Sequence, residues 1–272
     1  MKKIIVAVDF SAASINAANY AVDLAHDVNV DILLMHVISV PIAISEVPVP
    51  PDTFDIMTED AENEIDKLKN ELRSRTNDKV TITGTVSFGG IIDEIRDTAT
   101  FGDTLAVVMG INGAGATTEL LFGSNTLAAI DGLLFPVIIV PSHAIYQKII
   151  KTGLACDMLH VDETVPVKKI GTFTRLLNSQ LHILHISKEA ENSTMLPESV
   201  TLQNSLIDLH PVFHYLVNSD VEKGVASFVK DEHIDLLFVI PKERSFFDRL
   251  FHKSVSKEIA MRLPIPMMML HK

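Results

Sequence analysis

The sequence predicts an α/β protein built as two tandem open, mostly parallel five-stranded sheets with helices on both faces. Three observations predict it. Short β-branched apolar runs alternate with segments of helical period. The stretches between successive runs are long enough for helical crossovers, which join parallel strands. The order of elements also recurs along the chain, with residues 1–142 as a first repeat and 147–272 as a second. Of the 272 residues 47% are hydrophobic, and mean hydropathy is +0.27, which supplies a packed core and excludes disorder as the main state.

In the first repeat, Ile4-Ile5-Val6-Ala7-Val8 is an apolar run suited to burial on both sheet faces, and it ends at Asp9. Ser11 can cap the following helix, in which Ala17, Ala21, Leu24 and Ala25 keep helical spacing up to Asn29. Asp31 to Val37 is a second buried strand. The stretch Ser39 to Thr58 holds Pro41, Pro48, Pro50 and Pro51, which excludes a regular helix across it and reads as an excursion or flap. A charged amphipathic helix then runs from Ala61 to Arg75, and Lys79 to Phe88 alternates as a strand does. Gly89-Gly90 turns the chain into a helix over Ile91 to Thr100. Leu105 to Met109 is a buried strand, followed by a glycine-bearing loop, a short helix from about Ser124 and a last strand Val137 to Val140.

The second repeat follows the same order. Leu154-Ala155-Cys156-Asp157 matches Val6-Ala7-Val8-Asp9 at an offset of 148, and Ile183 to Ile186 matches Leu34 to Val37 at 149. Phe238-Val239 matches Val108-Met109 at 130, so the second repeat is shorter by 18 or 19 residues between its second and fourth strands. The shortfall is expected at the position of the Pro-rich excursion. Met267 to Leu270 is expected as the final strand.

Net charge is −12, all of it in the first half, where residues 1–144 carry 8 Lys and Arg against 20 Asp and Glu. No basic stripe able to track a phosphate backbone is present there, so a nucleic-acid partner is not expected. The apolar run from Gly132 to Pro141 is about half of the roughly 20 residues a membrane helix needs. The Ile4 to Val8 run is cut by Asp9, short of a signal core. A single cysteine, Cys156, excludes an internal disulfide framework. The expectation is a cytoplasmic protein without a membrane partner.

Gly110-Ile111-Asn112-Gly113 follows the fourth strand, and Gly123-Ser124 opens the next helix. Glycines let a backbone approach a ligand closely, and free amides at a helix start attract anions, although spaced glycines also serve simply to shape a loop. In an open α/β sheet this loop lies at the carboxyl edge of the strands, where ligands bind, and Asp9 ends the first strand on that edge. A carboxylate there can accept from a ribose hydroxyl or a base N–H. The P-loop pattern GxxxxGK[ST] is absent, and the glycines do not follow the first strand as a dinucleotide fold requires.

The pattern Gly110-x2-Gly113-x9-Gly123-Ser124, the opening Ile4 to Ser11 and the strand Leu33 to Val37 resemble the universal stress protein family, in the spacing of its ATP-binding branch. The resemblance covers the first repeat and, more faintly, the second. It implies an adenine nucleotide alpha hydrolase-like fold with strand order 3-2-1-4-5, in which subunits or tandem halves pair through their last strands as a pseudo-dimer, with homodimerisation open. It implies adenine and ribose contacts near Ala7, Val8, Asp9 and Val37, with Met109 also among the nucleotide-binding residues. Phosphate contacts are implied at Gly110, Gly113, Gly123, Ser124, Asn125 and Thr126. The ligand implied is ATP, or ADP or AMP, with Mg²⁺ as a companion, and the role is regulatory, with a protein partner that reads nucleotide-dependent conformation. A nucleotide-free interaction scaffold and a weak ATPase are the alternatives.

Two departures bear on that reading. Residues 111–122 hold no basic residue and include Glu119, which weakens the case for a triphosphate relative to AMP or ADP. In the second repeat Gly110, Gly113 and Gly123 become Ile240, Glu243 and Lys253, with only Ser124 keeping its type as Ser254, so no nucleotide is expected there. Phe246 to Phe251, standing in for the glycine loop, reads as a short amphipathic plug. No catalytic triad, paired-carboxylate signature or HExxH motif is present. His182 and His185 fall on opposite faces of one strand, and His210 and His214 are spaced roughly 13 Å apart along another, so no metal site is expected. His36 and His185, at equivalent strand ends, read as a structural feature of the repeat.

Overall fold

Lys3–Ala7 forms β1, buried from Ile4 onward, and its β-branched run is the centre of the first sheet. The structure, a computed structural model, describes residues 2–39, 52–99, 103–111, 124–158, 160–187, 197–241, 263 and 265–272. They fall into two compact units divided between Tyr146 and Gln147.

In the first unit β1 leads into α1 (Ala12–Val28). Ser11 caps this helix, its Oγ accepting from the Ser14 amide, and Asn29 ends it in the left-handed conformation. Ala13, Ala17, Ala18, Ala21 and Ala25 are buried, so small side chains bring α1 close onto the sheet. The chain continues through β2 (Asp31–Ile38), α2 (Thr53–Arg75), β3 (Ile82–Phe88), α3 (Ile91–Thr98), β4 (Thr104–Ile111), α4 (Ser124–Gly132) and β5 (Val137–Pro141). The strand order is β3-β2-β1-β4-β5, with parallel pairing throughout. The switch in order lies between β1 and β4, where open sheets of this kind receive ligands.

One element is longer than its sequence pattern indicates. The helix expected from Ala61 begins at Thr53, with Asp52 as its N-cap residue. Phe54 and Met57 continue the apolar spacing of Ala61, Ile65 and Leu68, but they fall in the stretch whose prolines read as excluding a helix, although all four prolines stand before Asp52 and leave the helix itself unbroken. Conversely, β3 starts at Ile82 rather than Lys79, because Asn77 and Asp78 both take left-handed backbone and end the preceding turn.

The second unit comprises β6 (Lys151–Ala155), α5 (Val161–Thr164), α6 (Val167–Leu177), β7 (Gln180–Ser187), α7 (Pro197–Ser205), β8 (Val212–Val217), α8 (Val221–Asp231), β9 (Leu236–Val239) and β10 (Met267–Met269). Its order is β8-β7-β6-β9-β10, again parallel, which is the arrangement of the first sheet strand for strand. The likeness extends to register. Ala7 pairs with Met35, and Ala155 pairs with Leu184 at the equivalent step. Left-handed residues recur as well: Phe10 and Met158 after the first strand, Asn29 and Asn178 at the end of the following helix.

The missing residues of the second unit lie mainly in a helix rather than in the excursion. α2 has 23 residues and α7 has 9, so the crossover helix carries the larger part of the shortfall. Met267, Met268 and Met269 are buried strand residues. Phe246 to Phe251, Glu243, Lys253 and Ser254 lie outside the described residues. Among the described residues no helix is long and apolar enough to cross a membrane.

Candidate functional site

The carboxyl ends of β1, β2 and β4 are neighbours in the first sheet, and the first turn of α1 lies against them. Val8 extends the pairing by donating its N–H to the Met35 carbonyl at 2.8 Å. Asp9 follows, and Phe10 then takes φ +59, turning the chain into the α1 cap. The Asp9 Oδ1 atom accepts from the Ser11 amide at 3.0 Å, while the Asp9 amide donates to Ser14 Oγ at 3.3 Å. Ser14 in turn donates its amide to Ser11 Oγ at 3.2 Å and its hydroxyl to the Ser11 carbonyl at 3.1 Å. This closed set of short-range bonds holds the carboxylate in one orientation.

The charge state follows from the same contacts. Burial pushes the Asp9 carboxyl upward, but bonds from Ser11 and Ser14 outweigh it and hold the group below its ordinary value of 3.8. Asp9 is therefore an anion at neutral pH.

His36, on β2, places Nδ1 2.7 Å from the Val8 carbonyl oxygen. A carbonyl only accepts, so Nδ1 carries the proton. The Phe10 ring lies 4.6 Å from the His36 ring, centroid to centroid. Both main-chain groups of Val8 thus have partners within the protein. Ala7, Val8 and Met109 are buried, and Val37 is half-buried beside them on β2.

Gly110 sits near the end of β4, and its missing side chain has an internal reason. A Cβ there would come 2.3 Å from the Ala13 carbonyl oxygen and 2.9 Å from the Ser14 nitrogen. Glycine is required for α1 to approach β4, whatever else the loop does. Ile111 closes the strand, its carbonyl accepting from Ser142 at 2.9 Å. Gly113, Glu119 and Gly123 lie outside the described residues. Beyond them Ser124 and Asn125 are exposed at the start of α4, whereas Thr126 is buried.

The structure thus brings Ala7, Val8, Asp9, Val37, Met109 and Gly110 to one sheet edge. Phe10, Ser14 and His36 join them there; Phe10 and His36 lie within the stretches that carry the resemblance and His36 is the expected structural feature of the repeat, whereas no motif marks Ser14. The spacing of Ser11 and Ser14 after Asp9 was the available signal, since Asp and Ser at those offsets favour Asx and capping bonds. In the second unit the equivalent edge keeps its frame, with His185 Nδ1 3.2 Å from the Cys156 carbonyl, but Ile240 replaces Gly110 and is buried.

An open parallel sheet in this order is a doubly wound α/β domain whose strand order reverses between β1 and β4, with Asp9 held at the end of the central strand. Residues 1–141 match the model of the universal stress protein family, and the chain belongs to that family. A universal stress protein from Archaeoglobus fulgidus DSM 4304 is 17% identical, with TM-score 0.73 over 99% of this chain and 98% of that one. A second structure, from Pseudomonas aeruginosa UCBPP-PA14, is 8% identical, with TM-score 0.58 over 100% of this chain and 93% of that one. At these identities the likeness shows the fold. No curated protein matches the chain.

Proposed function

We propose that the first unit binds an adenine nucleotide, ATP first among the candidates, at the carboxyl edge of β1 and β4, and that bound and free forms present different surfaces to a regulatory protein. The observation that carries this reading is Asp9: an ionised carboxylate at the end of a central strand, fixed by Ser11 and Ser14, beside the strand that leads into the glycine loop. The carboxylate is suited to accept from a ribose hydroxyl, a role that is worth more when the acceptor is charged.

In this reading Ala7, Val8, Val37 and Met109 line the base, and the amides around Gly110, Gly113 and Gly123 receive the phosphates with Ser124 and Asn125. Thr126, being buried, supports α4 from inside. Mg²⁺ would offset the repulsion between Glu119 and the phosphates, a term of about 1 kcal/mol or less in a water-like dielectric. Regulation then requires only that the nucleotide bind one loop arrangement more tightly than another.

The test is calorimetric titration of the nucleotide-stripped chain with Mg-ATP, ADP and AMP, beside Asp9→Asn and Gly123→Trp. One equivalent is expected, with affinity lowered about tenfold by Asp9→Asn, whose amide oxygen still accepts but without the charge that strengthens the bond, and abolished by Gly123→Trp. No saturable binding at millimolar nucleotide would sink the reading and leave the interaction scaffold in its place.

A further inference from the structure

His182, near the start of β7, pairs in register with Val212 on β8, two residues before His214. Residues two apart on a strand share a face, so the two histidines stand side by side on neighbouring strands. Their Nδ1 and Nε2 atoms are 3.0 Å apart, and the rings are nearly parallel, 12° apart with centroids at 5.1 Å. Glu232, the residue that caps α8, brings a carboxylate to the same place. Its Oε1 atom lies 3.5 Å from His214 Nδ1 and its Oε2 atom 3.8 Å from His182 Nδ1. Choosing one ligand atom from each residue, all three lie within 4.8 Å of one another.

We propose that His182, His214 and Glu232 form a binding site for a divalent transition-metal ion of the zinc type in the second unit, with water completing the shell. A tetrahedral ion bound at about 2.0–2.2 Å places its ligand atoms roughly 3.3–3.6 Å from one another. With one atom taken from each residue, the three lie within 4.8 Å of one another, His182 Nδ1 and His214 Nε2 at 3.0 Å, so side-chain rotation of about an ångström closes the set around an ion. Two imidazoles and one carboxylate suit zinc and its neighbours rather than Mg²⁺ or Ca²⁺, which take oxygen.

The surroundings favour the ion over a bare hydrogen-bonded network. His182 is buried and His214 mostly so, while the Glu232 side chain keeps 35% of its surface and opens a path for the ion and a water. The Phe228 ring, 5.2 Å from His214, walls the other side. Lys151, the nearby cation, directs its ammonium to the Glu232 carbonyl oxygen at 2.9 Å rather than to the carboxylate. The bound ion would pin the end of α8 to β7 and β8, on the edge opposite the loops that follow the strands.

The full chain, treated with chelator and dialysed, is titrated with Zn²⁺ by calorimetry and with Co²⁺ by visible absorption. Expected are one high-affinity equivalent, tetrahedral Co²⁺ bands without thiolate charge transfer, and a rise in Tm on adding Zn²⁺. Glu232→Gln and His214→Gln should each weaken binding by tenfold or more while circular dichroism stays unchanged, and His233→Ala should bind as the parent does. Absence of binding, or affinity unaltered by both ligand substitutions, overturns the site; a thiolate band, which would mark Cys156 as the ligand, overturns it too.

Discussion

The imidazole of His36 joins two strands by holding its Nδ1 2.7 Å from the Val8 carbonyl oxygen, one residue before Asp9. The bond fixes the carbonyl end of β1 at the point where the chain leaves the sheet. Replacing His36 by Leu removes the donor and leaves a partly buried carbonyl short of a partner, which costs about 1–2 kcal/mol. Urea denaturation should show a lower midpoint with an unchanged slope. An unchanged midpoint would mean that water replaces the donor without loss.

Gly110 is the position at which folding and binding must be kept apart. Alanine there drives a Cβ to 2.3 Å from the Ala13 carbonyl oxygen, a backbone atom that cannot swing away. Gly110→Ala should therefore destabilise the first unit by about 1–3 kcal/mol, the usual cost of overpacking. A nucleotide titration of that variant would report on α1 docking as much as on ligand contact, which is why Asp9 and Gly123 are the sounder probes. Thermal unfolding of Gly110→Ala without ligand checks this directly.

The pH dependence at Asp9 has a definite sign. Its folded value lies below the ordinary 3.8 because bonds from Ser11 and Ser14 favour the anion more than burial opposes it. The group thus contributes stability that is present above the unfolded value and is lost as pH falls through the folded one. Asp9→Asn removes this dependence. Denaturation from pH 7 down to strongly acidic conditions should show the parent's advantage over Asp9→Asn shrinking in the acid limb. A constant difference across the range would show that the carboxylate gains nothing from its bonds.

Much of this architecture is legible in the residues because buried parallel strands need unbroken apolar runs. Ile4 to Val8 and Leu105 to Met109 satisfy that need, and both form strands. Asp9 is legible for a related reason, as the first charge after a central strand. The first two turns of α2 are hidden because Pro48, Pro50 and Pro51 just before them suggest irregular chain, although Phe54 and Met57 keep the helical spacing that leads to Ala61. His182, His214 and Glu232 are hidden differently. Comparing histidines along one strand separates them, whereas the register of β7 on β8 and the length of α8 bring them together, and neither quantity is written in local periodicity. Gly110 shows the reverse case, a residue whose motif suggests a ligand and whose contacts also give it a packing duty.

Two long-range side-chain links in the first unit should differ in worth. Asn16 donates both amide hydrogens, to the Pro141 carbonyl at 3.0 Å and the Ala144 carbonyl at 2.9 Å, and so ties α1 to the end of β5. Arg75 forms a forked pair with Asp23, with Nε 2.8 Å from one oxygen and Nη2 2.6 Å from the other, linking α2 to α1. The fork has the better geometry, but the arginine keeps 44% of its side-chain surface and the pair is open to solvent and salt. Exposed pairs of this kind are worth about 0–1 kcal/mol. Removing Asn16 leaves the Ala144 carbonyl without its side-chain donor, while the Pro141 carbonyl keeps the Ala144 amide at 2.9 Å, at a cost of about 1–3 kcal/mol for the group left unpaired. Asn16→Ala is therefore expected to lower the denaturation midpoint more than Arg75→Ala, and high salt should erase only the Arg75 effect. Equal losses, or a salt-dependent loss at Asn16, would reverse the ranking of burial over charge.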